Sequence, residues 1–147
     1  MLGGFERCGK CVEACPVNLL PGRLAKLSEL GRYEEEIECC DKALELDPHC
    51  IDAWNNKGVV MYRAKMYEQS LEIFDEIIKM DPGYIKAWYN KGVVKGRMER
   101  HLDSIEEYDR ALKIDQTRPK IWNNKGSALG NLGEYERAIL CFDQAID

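Results

Sequence analysis

Cys8, Cys11 and Cys15, in the run RCGKCVEACP with Pro16 behind them, are the residues of this chain whose type and spacing point most directly to chemistry. Thiolates in such short spacings hold iron–sulfur clusters, which take four of them, or a tetrahedral zinc. The segment supplies three, and the place three residues before Cys8 is taken by Phe5. Cys39, Cys40 and Cys50 are the sulfur donors that a fourth bond would draw on. Cys40 is the least available of these, because it recurs in an apolar column with Phe74 and Phe142, where a free cysteine acts as a small buried hydrophobe. The alternative is a terminal segment or cap with no cofactor.

Other chemistry has no support in the sequence. His101 falls in an aromatic packing column with Tyr33, Tyr67 and Tyr135, and His49 lies between repeats. There is no Gly-rich phosphate loop and no zinc-protease helix motif. The acidic pair Glu106-Glu107 reads as a solvated face with bases close by. The sequence therefore predicts a protein that is not an enzyme.

The elements that carry these residues are set by a repeat. Trp54, Trp88 and Trp122 recur every 34 residues in WNNKG, WYNKG and WNNKG, and Cys40, Phe74, Tyr108 and Phe142 keep the same register, as do Ala43, Ile77, Ala111 and Ala145. A period of this length marks a helical repeat array. Apolar residues at three- and four-residue steps, as in Tyr67, Leu71, Phe74, Ile77 and Ile78, predict two helices per unit. Gly58, Gly92 and Gly126 fall inside the first helix, where glycine costs about 1 kcal/mol relative to alanine. Close approach of the second helix, at the small residues Ser70, Ser104 and Ala138, is the expected reason. Asp47-Pro48 and Asp81-Pro82 end second helices, because proline pushes the residue before it out of the helical region. The third copy has Gln116 at that place and Pro119 three residues on, which predicts an altered connection. Lys57, Lys91 and Lys125 read as stems laid along the helix pair with their charges in water.

These positions resemble the tetratricopeptide repeat family. The resemblance implies an all-α fold, an α-α superhelix of helix-turn-helix units, over residues 17–147 behind a cysteine-rich segment at 1–16. The copies are 17–50, 51–84, 85–118 and 119–147, the last one short. The first is degenerate: Leu20 replaces the tryptophan, Leu24 the glycine, and Glu36 the small residue; its first helix is expected to start at Pro21. The open last copy, with Ala138, Cys141, Phe142 and Ala145, predicts an apolar strip and end-to-end self-association into a homo-oligomer.

The family resemblance also implies a concave groove lined by the first helices. Carried over by position, it would show Asp52, Asn55, Asn56, Val59 and Arg63, then Lys86, Tyr89, Asn90, Val93 and Arg97, then Lys120, Asn123, Asn124, Ser127 and Asn131. Asn56, Asn90 and Asn124 form a column of amides, each able to donate and accept along an extended peptide. Three such contacts at about 0.5–1.5 kcal/mol each give only a millimolar complex. Tyr89 and the guanidinium groups of Arg63 and Arg97 are the expected additional contacts, and the arginines favour acidic ligands. A family clamp for C-terminal carboxylates requires a lysine where this chain has Asn55, Tyr89 or Asn123, so that ligand is disfavoured.

A second resemblance covers Arg7 to about Glu35, where the C-x2-C-x3-C-P spacing matches the end of a bacterial ferredoxin run. Continuing through ACPVNLLPGRLAKLSELGRYEE, the segment is similar to the ferredoxin-type subunit of the Rnf-type electron transport complex. That resemblance implies iron–sulfur clusters held by Cys8, Cys11 and Cys15 and an electron-transfer role.

A formal net charge of −5 with interleaved signs offers no footprint for nucleic acid. No apolar run approaches the roughly 20 residues that span a bilayer, so a membrane partner is not expected. Seven scattered cysteines suit a reducing, cytoplasmic setting. The sequence thus predicts a peptide- or protein-binding scaffold without a cofactor, with iron–sulfur electron transfer and self-association as the alternatives.

Overall fold

The computed structural model describes residues 33–146, so Cys8, Cys11, Cys15 and the expected helix start at Pro21 lie outside the described residues. Seven helices and no strand occur among the described residues: α1 (Tyr33–Leu46), α2 (Ile51–Arg63), α3 (Tyr67–Met80), α4 (Ile85–Arg97), α5 (His101–Ile114), α6 (Pro119–Asn131) and α7 (Tyr135–Ile146). The chain divides into two compact units, with the boundary between Asp81 and Pro82. The first holds α1, α2 and α3; the second holds α4 to α7.

Within the first unit α2 packs on both α1 and α3. Ala43, Leu44 and Ala53 join α1 to α2, with Cys50 and Trp54 against them. Phe74 and Ile77 of α3 are fully buried, as is Val60 of α2. In the second unit α4 pairs with α5, α5 with α6, and α6 with α7. Tyr89, Tyr108, Ala111, Leu112 and Ile121 form one apolar cluster there, and Ile105, Ala128, Leu129, Ala138 and Cys141 form another.

The turn inside each hairpin reverses through a single left-handed residue: Lys65, Glu99 and Gly133, with φ of 62°, 60° and 80°. Each is followed by an amide that reaches back five residues, from Met66 to Met61, Arg100 to Lys95 and Glu134 to Leu129, at 2.9–3.0 Å. This is the bond pattern of a Schellman helix end, which satisfies carbonyls that the helix leaves open. Glycine adopts that backbone without the side-chain clash that Lys65 and Glu99 incur.

The glycines inside the first helices do mark a close approach, but the group that fills the gap differs from the one expected. A Cβ on Gly58, Gly92 or Gly126 would stand 2.8, 2.5 or 2.7 Å from the ring of Phe74, Tyr108 or Phe142. The aromatic column, 16 residues on, is therefore what excludes a side chain. The small column has a polar task instead. Ser70 Oγ donates to the Gly58 carbonyl at 2.8 Å, and Ser104 Oγ to that of Gly92 at 2.7 Å.

Each tryptophan fastens its helix to the turn before it. The Nε1 hydrogen of Trp54 goes to the Pro48 carbonyl at 2.9 Å, that of Trp88 to Pro82 at 2.9 Å, and that of Trp122 to Gln116 at 2.8 Å. The expected alteration of the connection after the third copy leaves this bond unchanged, because a carbonyl serves equally well from glutamine. The aspartate-to-amide bond of the turn is kept as well, since Asp47 accepts the His49 amide at 3.2 Å in the first copy. Asp115 accepts the Thr117 amide at 2.9 Å, the Thr117 hydroxyl at 2.6 Å and Arg118 Nε at 2.7 Å. Those bonds, that of the hydroxyl first, hold the Asp115 carboxyl down at about 2.

Candidate peptide-binding surface

The residues expected to line a groove lie on the first helices, and each unit is best taken separately. In the first unit Asn55 and Asn56 are buried in α2. Arg63 is half-buried and turned to its own unit: Nη1 is 3.5 Å from Oε2 of the fully buried Glu36, and its guanidinium carbon stands 6.0 Å from the Tyr33 ring centre. Glu36 stands in the place of Ser70 and Ser104, so this arginine neutralises an acid that the degenerate copy puts in the core.

In the second unit, Lys86, Asn90, Val93 and Arg97 follow one another along α4 at steps that keep them on one stripe, and Lys120, Asn124, Ser127 and Asn131 repeat that stripe on α6. Asn90 and Tyr89 are buried, Lys86 and Asn124 are half-buried, and Arg97, Lys120, Asn123 and Asn131 are exposed. The Asn124 amide donates to Tyr89 Oη at 3.1 Å. Tyr89 in turn packs on Tyr108, ring centres 6.2 Å apart.

Burial corrects the expected amide ladder. Asn55, Asn56 and Asn90 are withdrawn from solvent, and Asn124 spends its amide on Tyr89, so the column does not present three open amides. Exposed polar groups of the second unit include Arg97, Lys120, Asn123 and Asn131, at the margins of the stripes.

The recurring lysines also differ from expectation. Lys57 Nζ lies 2.6 Å from Asp41, Lys125 Nζ 2.6 Å from Asp109, and Lys91 Nζ 3.4 Å from Glu107. Each ammonium also stands 5.3–5.8 Å from the centre of the tryptophan three residues earlier, close enough for a cation–π attraction. Their charges are paired at the helix interface rather than left in water.

Glu107 is the largest departure. It is not solvated surface but 1% exposed, with Oε1 2.6 Å from Lys95 Nζ and 3.4 Å from Lys91 Nζ, and Oε2 3.2 Å from Arg110 Nη1. Arg110 completes the group by lying 5.2 Å over Trp88. Register contained the missing signal: Glu107 stands where the other copies have Ile73 and Cys141, and Lys95 where they have Met61 and Leu129. An acid and a base that replace apolar residues in facing columns are expected to pair.

Among the described residues no three His, Cys, Asp or Glu side chains are grouped as a metal site. Cys40 and Cys141 are buried, and Cys39 and Cys50 are half-buried. No helix among the described residues is long and apolar enough to cross a membrane.

Tetratricopeptide repeat models match residues 85–118 and 119–147, and a model of the protein prenyltransferase alpha subunit repeat matches residues 33–64. A crystal structure of MamA superposes with a TM-score of 0.74 at 22% identity, over 94% of this chain and 82% of that one. MamA 41-end from Desulfovibrio magneticus RS-1 gives a TM-score of 0.72 at 23% identity, over 85% and 71%. A subunit of the ion-translocating oxidoreductase complex of Methanosarcina acetivorans is 48% identical over 27 residues. That stretch is 18% of this chain and spans only 6% of the length of that relative.

Proposed function

From the premise that the described residues are an array of tetratricopeptide repeats, we propose that the chain is a non-catalytic scaffold that binds an acidic, extended protein segment on the first-helix face of its second unit. The observation that carries the reading is the arrangement of Lys86 and Arg97 on α4 and Lys120 on α6, in repeat register, with the exposed amides Asn123 and Asn131 beside them. Arginine and lysine at the margins attract carboxylates, arginine with two parallel bonds. The amides supply donors and acceptors that do not depend on the ligand's side chains. The hydrogen bond from the half-buried Asn124 to the buried Tyr89 ties α6 to α4, and Asn90 is withdrawn beneath the surface. A cytoplasmic protein partner suits this surface; nucleic acid does not, since its phosphates would demand a continuous basic footprint.

The test is fluorescence anisotropy with a labelled short peptide rich in Asp and Glu, scored against a Lys-rich peptide of the same length. Preferential binding of the acidic peptide that weakens about tenfold in Arg97→Glu or Lys120→Glu, and falls with salt, supports the reading. Equal binding of both peptides, or binding indifferent to both variants, rejects it.

A second reading belongs to Cys8, Cys11 and Cys15: an iron–sulfur cluster and an electron-transfer role. It is favoured by the short match to a subunit of an ion-translocating oxidoreductase complex. Iron and acid-labile sulfide measured on anaerobically purified protein decide it, with serine at the three cysteines as the control.

A further inference from the structure

Trp54, Trp88 and Trp122 are all half-buried, and what lies over the indole differs from copy to copy. Register places Glu76, Arg110 and Gln144 in one column of the second helices, 22 residues after each tryptophan. Glu76 pairs with Lys79. Arg110 lies 5.2 Å over the Trp88 ring, which also has Lys91 Nζ at 5.8 Å. Glu107 stands 3.2 Å from the first of these cations and 3.4 Å from the second. Two positive charges share one ring because a carboxylate bridges them.

The fourth copy repeats this group with one member changed. Trp122 and Gln144 line a cleft of about 370 Å³, together with Asp109, Leu112, Lys113 and Gln116. Lys125 Nζ is 5.3 Å from the Trp122 ring and 2.6 Å from Asp109 Oδ1. An indole, a first cation and a carboxylate are thus in place, and the shorter, uncharged Gln144 stands where the second cation would be. The cleft lies between the third and fourth copies, so a copy packed beyond α7 would not fill it. Trp88 and Arg110 show this directly: with α6 and α7 packed after their hairpin, the first stays half-buried and the second exposed. The volume is near the lower end of ligand sites, about 300–1,000 Å³, and suits one side chain better than a cofactor.

We propose that the cleft on Trp122 receives an arginine side chain of a protein partner, laid over the indole as Arg110 is laid over Trp88. Asp109 and the side-chain carbonyls of Gln116 and Gln144 are its acceptors. Arginine rather than lysine follows from shape, since a flat guanidinium stacks on an aromatic face and offers a fork of donors, whereas an ammonium is a compact, strongly hydrated charge. Lys113, exposed on the rim, opposes a cation and so reports the sign of the occupant. Asp109 answers it by bridging the visitor to Lys125, as Glu107 bridges Arg110 to Lys91. This site takes a cation beside the second helices, whereas the first-helix face proposed above takes acids, so either can fail without the other.

The experiment follows the indole N–H signals of the isotope-labelled full chain by NMR during titration with a capped Ala-Arg-Ala peptide, and with Ala-Lys-Ala at equal ionic strength. The Trp122 signal should shift saturably with the arginine peptide, and the lysine peptide should bind about fivefold more weakly or worse. Trp88, its ring already taken by Arg110, should hold still. Lys113→Glu should tighten binding several-fold. Gln144→Arg, which supplies the guanidinium from within, should abolish it without lowering the melting temperature. No saturable shift at Trp122, an equal response to the lysine peptide, or binding that persists in Gln144→Arg overturns the proposal. Weaker binding in Lys113→Glu does so too, because the cleft would then favour an anion.

Discussion

Lys95 Nζ sits 2.6 Å from Glu107 Oε1 at a place where the following copy puts Leu129 and Cys141 into one apolar cluster. The same hairpin thus closes with an ion pair in one repeat and with hydrocarbon and thiol in the next. Taking two charges out of water costs several kcal/mol per ion, and the attraction between them recovers it only with good geometry and additional partners. Lys91 and Arg110 supply those partners.

Removal of one side of this group should be far worse than removal of both. Glu107→Ala leaves Lys95, 13% exposed at its side chain, without its closest carboxylate. A loss of about 3–5 kcal/mol is expected from breaking one side of a buried pair. The double variant Lys95→Leu with Glu107→Ile restores the apolar chemistry of the neighbouring copies and should lose less than Glu107→Ala alone, its remaining cost being the contact of Lys91 with the carboxylate. Urea unfolding of the two variants measures this, and equal losses would show that the hairpin of α4 and α5 does not tolerate the apolar pair.

The period of 34 made the hairpins, the helix ends and the tryptophan column legible, because each follows from residues close in the chain. Pairings between helices were not. Lys95 and Glu107 lie 12 residues apart, and Lys125 and Asp109 lie 16 apart. Read along one helix, each of these acids has bases nearby and looks solvated. Only comparison of column with column shows that Glu107 replaces isoleucine and cysteine. The asparagines failed for another reason: recurrence marks a constrained position, and packing constrains as strictly as a ligand does. Asn90 is buried and Asn123 exposed, although both belong to the same recurring motif.

Two glycines of neighbouring helices should respond in opposite directions to alanine. At Gly92 the new Cβ would stand 2.5 Å from the Tyr108 ring, which is buried and packed against Tyr89. The helix-propensity gain of about 1 kcal/mol is then outweighed by overpacking, typically about 1–3 kcal/mol. At Gly130 nothing lies within 4 Å, so Gly130→Ala should stabilise by up to about 1 kcal/mol. Thermal melts of the two variants give the signs, and stabilisation by Gly92→Ala would mean that the aromatic ring moves aside freely.

Asp115 gives the turn before α6 a defined pH response. The Thr117 hydroxyl, Arg118 and the Thr117 amide all favour the carboxylate and lower its value to about 2. A carboxyl whose folded value is depressed stabilises the fold above its unfolded value, ~3.9, and loses that contribution as pH falls towards the folded one. The Asp115-linked part of stability should therefore be constant above about pH 5 and vanish between about pH 4 and pH 2. Asp115→Asn should flatten the melting temperature over that window while changing little in its slope above it. A parallel acid slope in parent and variant would place the titration elsewhere.

Cys141 occupies in the last copy the column that Glu107 occupies in the third, and burial pushes its thiol up against the opposing pull of Lys125. The thiolate is the reacting form of cysteine, so a buried thiol with a raised value reacts slowly. Cys39 and Cys50 are half-buried and should be alkylated first. Brief treatment with iodoacetamide near pH 8, followed by peptide mapping, should find Cys141 and Cys40 largely unmodified, and urea should bring all four to the same rate. Cys141 labelled as fast as Cys50 in the native protein would instead show that α7 detaches from α6 on the timescale of the reaction.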